Sequence, residues 1–195
     1  MGLDSVELIM KVEKYFEIRI PDVEAEKIYT IQHMVEAIAR QLNIESEDMQ
    51  LRDKIFSNVS SCLRIITKTD KKLLLTDKIA NYLSAGDKEK WNEFENLLKL
   101  EIPRPDSYNP YINKLSDKLR KLISWTPNYN WQEVSLEHFV DAVCAANYQI
   151  LLNANSIKSK YEIYIGVISI TVDKIGVDYF EISPEKSFTS DLGID

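Results

Sequence analysis

The chain has 195 residues, 45% of them hydrophobic: enough for one medium domain or two small ones, and too apolar for a disordered segment. A net charge of −7 argues against nucleic acid or an anionic membrane surface as a partner and leaves basic protein surfaces open. Only five Gly and six Pro suggest helices joined by few tight turns.

In chain order, residues 4–18, "DSVELIMKVEKYFEI", read as a helix. Leu8, Ile9, Val12, Tyr15 and Phe16 share one helical face, Asp4 or Ser5 can cap the start, and Pro21 stops it. "DVEAEKI" is a short acidic turn or helix, and Thr30 caps "IQHMVEAIARQL", an amphipathic helix. "RDKIFSNVSSCLRII" is a further helix, and "TKTDKKLLLTDKIANYL" is a loop with one apolar knot. "DKEKWNEFENLLKL" is a helix ending before Pro103, "RPDSYNPY" a turn, "INKLSDKLRKLI" a helix and "TPNYNWQE" a loop. Ser135 caps the helix "LEHFVDAVCAANYQILL". The segment 160–176 divides the signals: its Ile, Val and Tyr content favours strand, and its length before any breaker favours helix.

The start "MGLDSVEL" is not a cationic, apolar secretory leader, and "IYIGVISITV" is about half a membrane span. Cys62 and Cys144 have neither CxxC spacing nor metal-ligand neighbours, so they read as two buried free thiols of a cytoplasmic protein. His33 and His138 read as structural, and Trp91, Trp125 and Trp131 as core or interface aromatics. No phosphate loop, metal triad or Ser/His/Asp set stands out, so an enzyme is not expected.

The chain also repeats itself. "VEKYFEIRIP" at 12–21 matches "FENLLKLEIP" at 94–103, an offset of 82. "TIQHMVEAIA" at 30–39 matches "SLEHFVDAVC" at 135–144, an offset of 105. Two blocks in one order point to two related helical units, the second carrying an insertion of about 23 residues.

The first 42 residues resemble the last three helices of an acyl carrier protein. Leu3, Asp4, Val6, Glu7, Leu8, Ile20, Pro21, Asp22, Glu24, Ala25, Glu26, Lys27, Ile28 and Thr30 carry the likeness. The family's first helix and long loop are similar to the other end of the chain, "TVDKIGVDYFEISPEKSFTSDLGID", through Ile175, Gly176, Val177, Ile182, Ser187, Phe188, Asp191, Leu192 and Gly193. The order is that of a circular permutation cut at the prosthetic-group serine, whose slot falls on Gly2, between the flanking Asp191-Leu192-Gly193-Ile194-Asp195 and Leu3-Asp4. Gly2 has no hydroxyl and cannot be modified. Ser5, in "GLDSV", fits the generic attachment motif, but its distance from Val6 and Ile20 does not match the family's. It remains the alternative site for 4'-phosphopantetheine, beside its reading as a polar first-turn residue. The middle, 51–150, resembles a degenerate second carrier unit without a D-S-L motif; Ser84 is its nearest hydroxyl.

The resemblance implies an all-α protein of two carrier-like four-helix bundles, one from residues 1–45 plus 157–195 and one from 51–150. It implies that 160–176 is helical. It implies a binding or adaptor role in fatty-acid or polyketide-type metabolism without the usual phosphopantetheine, through an acidic face of Asp4, Glu7, Glu13 and Glu17, followed by Asp22, Glu24 and Glu26. The expected partners are basic-surfaced enzymes of acyl-chain metabolism. The two ends are expected to meet within a monomer or across a half-exchanged homodimer.

Overall fold

A computed structural model describes residues 3–105 and 129–194 of the chain. The helix expected over "INKLSDKLRKLI", Trp125, Gly2 and Asp195 lie outside the described residues. Within them the chain is all-α. Its helices are α1 (Leu3–Phe16), α2 (Asp22–Ala25), α3 (Ile31–Leu42), α4 (Gln50–Thr67), α5 (Lys88–Leu98), α6 (Leu136–Ala146), α7 (Tyr148–Leu151) and α8 (Lys160–Ile175). Short 3-10 turns occur at Ile79–Asn81, Trp131–Glu133, Ala154–Ser156 and Tyr179–Glu181. The chain divides into two compact units: Met1–Asp53 with Cys144–Asp195, and Lys54–Val143.

The first unit is built from both ends of the sequence. Its core takes Leu8, Val12 and Phe16 from α1, each at most 2% exposed, and Ile31, Met34, Val35 and Ile38 from α3. Burial of such side chains is worth about 1.5–3 kcal/mol each. Helix α8 packs on both α1 and α3. Its residues 163–171 are buried without a break, so the apolar pattern is not one-sided. That explains the strand-like composition, since a helix buried all round needs apolar residues at every position. Ser159 caps its start by accepting the Glu162 N–H, and Gly176, at φ 72°, ends it in the left-handed region. Gly166 lets α1 approach: a Cβ there would lie 2.8 Å from the Phe16 ring.

The segment after α8 returns to α3. Tyr179–Glu181 starts with a capping box made by Asp178 and Glu181. Beyond it, residues 184–188 pair with the approach to α3. The Ile31 N–H donates to the Lys186 carbonyl (3.1 Å), Gln32 N–H to Pro184 (2.8 Å) and Phe188 N–H to the Tyr29 carbonyl (3.0 Å). Phe180, Ile182, Phe188, Leu192 and Ile194 are buried.

The second unit repeats these devices. Residues 75–79 pair with the approach to α6: Leu136 N–H donates to Asp77 (2.7 Å), Glu137 N–H to Leu75 (2.9 Å) and Ile79 N–H to Val134 (3.0 Å). Thr30 caps α3 by accepting the His33 N–H, and Ser135 accepts the His138 N–H in the same way. Helix α1 stops at Glu17 and α5 at Lys99, both left-handed, with φ of 53° and 57°. The core of this unit is aromatic: Trp91, Phe94 and Phe139 are fully buried, and Trp131 packs against Trp91. The expected helix from Ser135 differs in one respect. It breaks at Asn147, whose backbone leaves the helical region (φ −112°, ψ 18°), and α7 follows as a separate turn. Asparagine favours such breaks because its side chain competes for backbone hydrogen bonds.

Candidate functional site

Described residues of the first unit line a partly open cavity of about 420 Å³, within the range of small-molecule sites. Helix α1 contributes Ser5, Leu8 and Ile9; α2 and the turn after it contribute Ala25, Glu26, Ile28 and Tyr29; α3 contributes Met34. Phe188, Thr189 and Ile194 come from the opposite end of the sequence. The wall is mainly aliphatic, with Ser5, Glu26 and Thr189 as polar groups. A larger depression of about 520 Å³ is lined by Glu24, Lys27, His33, Glu36 and Arg40 with apolar residues between them. Its charges are used locally, Arg40 Nε donating to Glu24 at 2.9 Å, which lowers the Glu24 carboxyl below its ordinary value. The aliphatic cavity is therefore the better candidate for an apolar ligand.

Ser5 stands in the first turn of α1, half-buried, between the exposed Asp4 and Val6. Leu3 opens the same helix. The Asp191-Leu192-Gly193 stretch is a closed turn. Asp191 accepts the Ser187 N–H at 2.8 Å, and Leu192 is buried. Gly193 has φ 68° with nothing within 4 Å of a Cβ, so backbone conformation rather than crowding favours glycine there.

The acidic residues of α1 have separate local roles. Asp4 and Glu7 both pair with Lys174 near the end of α8, Asp4 at 3.3 Å and Glu7 in a close contact. These two carboxylates hold the Lys174 ammonium pKa above its ordinary value, the Glu7 hydrogen bond being the larger cause. Lys11 pairs with Asp173 of the same helix at 2.9 Å. The Glu13 carboxylate accepts the Ile20 N–H at 2.7 Å and ties down the loop after α1. Glu17 is exposed at the left-handed position where α1 stops, and Asp22 is exposed at the start of α2. The pairing of Asp4 and Glu7 with Lys174 could not be read locally, since the partner lies at the far end of the chain.

No group of His, Cys, Asp and Glu suited to a metal ion occurs among the described residues. No helix among them is long and apolar enough to cross a membrane. His33 and His138 sit in first turns, their N–H groups given to the capping hydroxyls. Cys62 and Cys144 are buried thiols; the Tyr161 hydroxyl donates to the Cys144 Sγ at 3.8 Å, and burial raises the Cys62 pKa.

The chain is 49% identical over 40 residues to the acyl carrier protein of Chlorobium phaeobacteroides (strain DSM 266 / SMG 266 / 2430). It is equally similar to those of Chlorobium phaeovibrioides (strain DSM 265 / 1930) and Chlorobium luteolum (strain DSM 273 / BCRC 81028 / 2530). The chain holds an acyl-carrier-like region. Each match takes in 20% of this chain and 51% of the relative, so the chain spans about half the length of the curated relatives it matches. No family model matches the chain. No solved structure matches it.

Proposed function

We propose that this protein is an acyl-carrier-like binding protein of fatty-acid or polyketide-type metabolism, working without phosphopantetheine at the family's usual position. The N- and C-terminal segments act as one carrier-like bundle in permuted order, and its cavity receives an unbranched acyl chain. The reading rests on one observation: the cavity wall combines Ser5, Leu8, Ile9 and Met34 from the early residues with Phe188, Thr189 and Ile194 from the late ones. The likeness to half of an acyl carrier protein adds support. The acidic α1 face, extended by the exposed Glu17 and Asp22, meets basic-surfaced partner enzymes, where charge complementarity chiefly sets on-rate and specificity. The compartment is the cytoplasm.

The alternative is a working carrier modified on Ser5, which lines the cavity wall and is favoured by its place in the first turn of α1, where a helix start suits a phosphate. The residues around Ser5 do not suit an attached phosphopantetheine. Its side chain is half-buried in that wall, whereas attachment requires a hydroxyl offered to a transferase. Intact-mass measurement after co-expression with a phosphopantetheinyl transferase separates the two readings. The unmodified mass is expected; a gain of one pantetheine arm that Ser5→Ala abolishes would establish the alternative.

A further inference from the structure

Among the described residues the two units use the same backbone pairing, caps and left-handed helix ends, yet they differ in the residues that correspond to the wall of the first unit's cavity. At the offset of 82 residues Ile9 corresponds to Trp91, and at the offset of 105 Met34 corresponds to Phe139. The structure supports this register independently. Glu17 and Lys99 end their helices alike, and Thr30 and Ser135 cap theirs alike.

Ile9 and Met34 both line the cavity of the first unit. Their counterparts Trp91 and Phe139 are both 0% exposed, with ring centroids 6.2 Å apart. The Trp91 indole N–H donates to the Ser84 carbonyl at 3.0 Å. Ser84 follows the loop that pairs with α6, as Ile194, another cavity residue, follows the loop that pairs with α3. Helix α5 begins at Lys88, so Trp91 stands in its first turn, close to that loop. The aromatic pair therefore occupies in the second unit the place that is open in the first.

Resting on the binding reading above, we propose that positions 9 and 34 decide whether this place in a unit is open. Ile9 and Met34 keep the first unit open to an unbranched acyl chain, while Trp91 and Phe139 fill the same place in the second. Aliphatic walls suit a flexible alkyl chain, and the unbranched thioether of Met34 adapts to its length. Glu26 among the lining groups disfavours a free carboxylate and favours an uncharged ester or thioester.

The test is calorimetric titration with octanoyl-N-acetylcysteamine, an uncharged thioester, on the full chain. The parent is expected to bind one molecule. Ile9→Trp and Met34→Phe, the residues the second unit uses, should each weaken binding at least tenfold at unchanged helical dichroism. The double variant Trp91→Ile with Phe139→Met should take up a second molecule. Should Ile9→Trp lose its helical signal, Met34→Phe and the milder Ile9→Phe carry the same expectation. A parent that binds no thioester refutes the binding reading itself. A parent that binds, with helical filled variants binding within twofold of it, refutes the assignment of positions 9 and 34 alone.

Discussion

The contact between Phe16 and Gly166 makes a double-mutant cycle decisive, because the two residues lie 150 positions apart and meet only if the first unit assembles from both segments. In Gly166→Ala the new Cβ would lie 2.8 Å from the Phe16 Cζ and 3.4 Å from the Tyr15 Cε1. Ordinary carbon contacts are about 3.5–4.0 Å. Phe16 is 2% exposed, so its ring has little room to withdraw, and overpacking of this kind costs about 1–3 kcal/mol. Against that, alanine gains about 1 kcal/mol over glycine inside a helix. Phe16→Ala alone should cost about 3–5 kcal/mol for the lost buried ring. With the ring gone the clash is gone, so adding Gly166→Ala should stabilise by about 1 kcal/mol. The coupling between the sites is then about 1–3 kcal/mol. The assay is urea unfolding followed by far-UV dichroism. Tryptophan fluorescence reports the second unit separately, because all three Trp fall between Lys54 and Val143 in the sequence. Additivity within about 0.5 kcal/mol would refute the close approach of α1 to α8.

Other expectations are as direct. Deleting residues 157–195 should abolish amide protection over residues 5–40 and leave that of 55–66 largely intact, read by hydrogen exchange on the truncated chain; retained protection in α1 and α3 would show that they do not need α8. Lys174 has a pKa raised above 10.5, so its contribution to stability is complete below that value and is lost as pH rises through the raised one. The melting difference between parent and Lys174→Met should therefore be constant through neutral pH and shrink in strong alkali. Glu13→Ala should cost about 1 kcal/mol in urea, through the lost bond to the Ile20 N–H, whereas Glu17→Gln should stay within about 0.5 kcal/mol.

Helices with one apolar face were legible from the sequence, because their period reports which side is buried. Thr30 and the Leu8, Val12, Phe16 seam belong to this class. Helix α8 was not legible from its residues: burial on all sides erases the period, and only the family resemblance pointed to helix. The break at Asn147 was missed because the apolar pattern runs through it, and a single backbone angle decides the matter. The cavity was out of reach for a different reason. Its wall joins Ile9 to Ile194, and no local pattern reports contacts across the length of a chain. The carboxylates of α1 were legible as acidic, but not the cation that Asp4 and Glu7 share or the loop amide that Glu13 holds.

The placement of α8 has a consequence for biosynthesis. Residues 3–42 leave the ribosome more than a hundred residues before the helix that packs on α1 and α3 has been made. At ordinary elongation speeds that interval is on the order of ten seconds, far longer than hydrophobic collapse takes. The nascent apolar seam of α1 and α3 must spend it solvated or sheltered by a chaperone, while the intervening unit can fold as soon as its own last helix emerges. The order of maturation is thus the reverse of the order of synthesis: α1 and α3, made before the second unit, acquire their native surroundings after it.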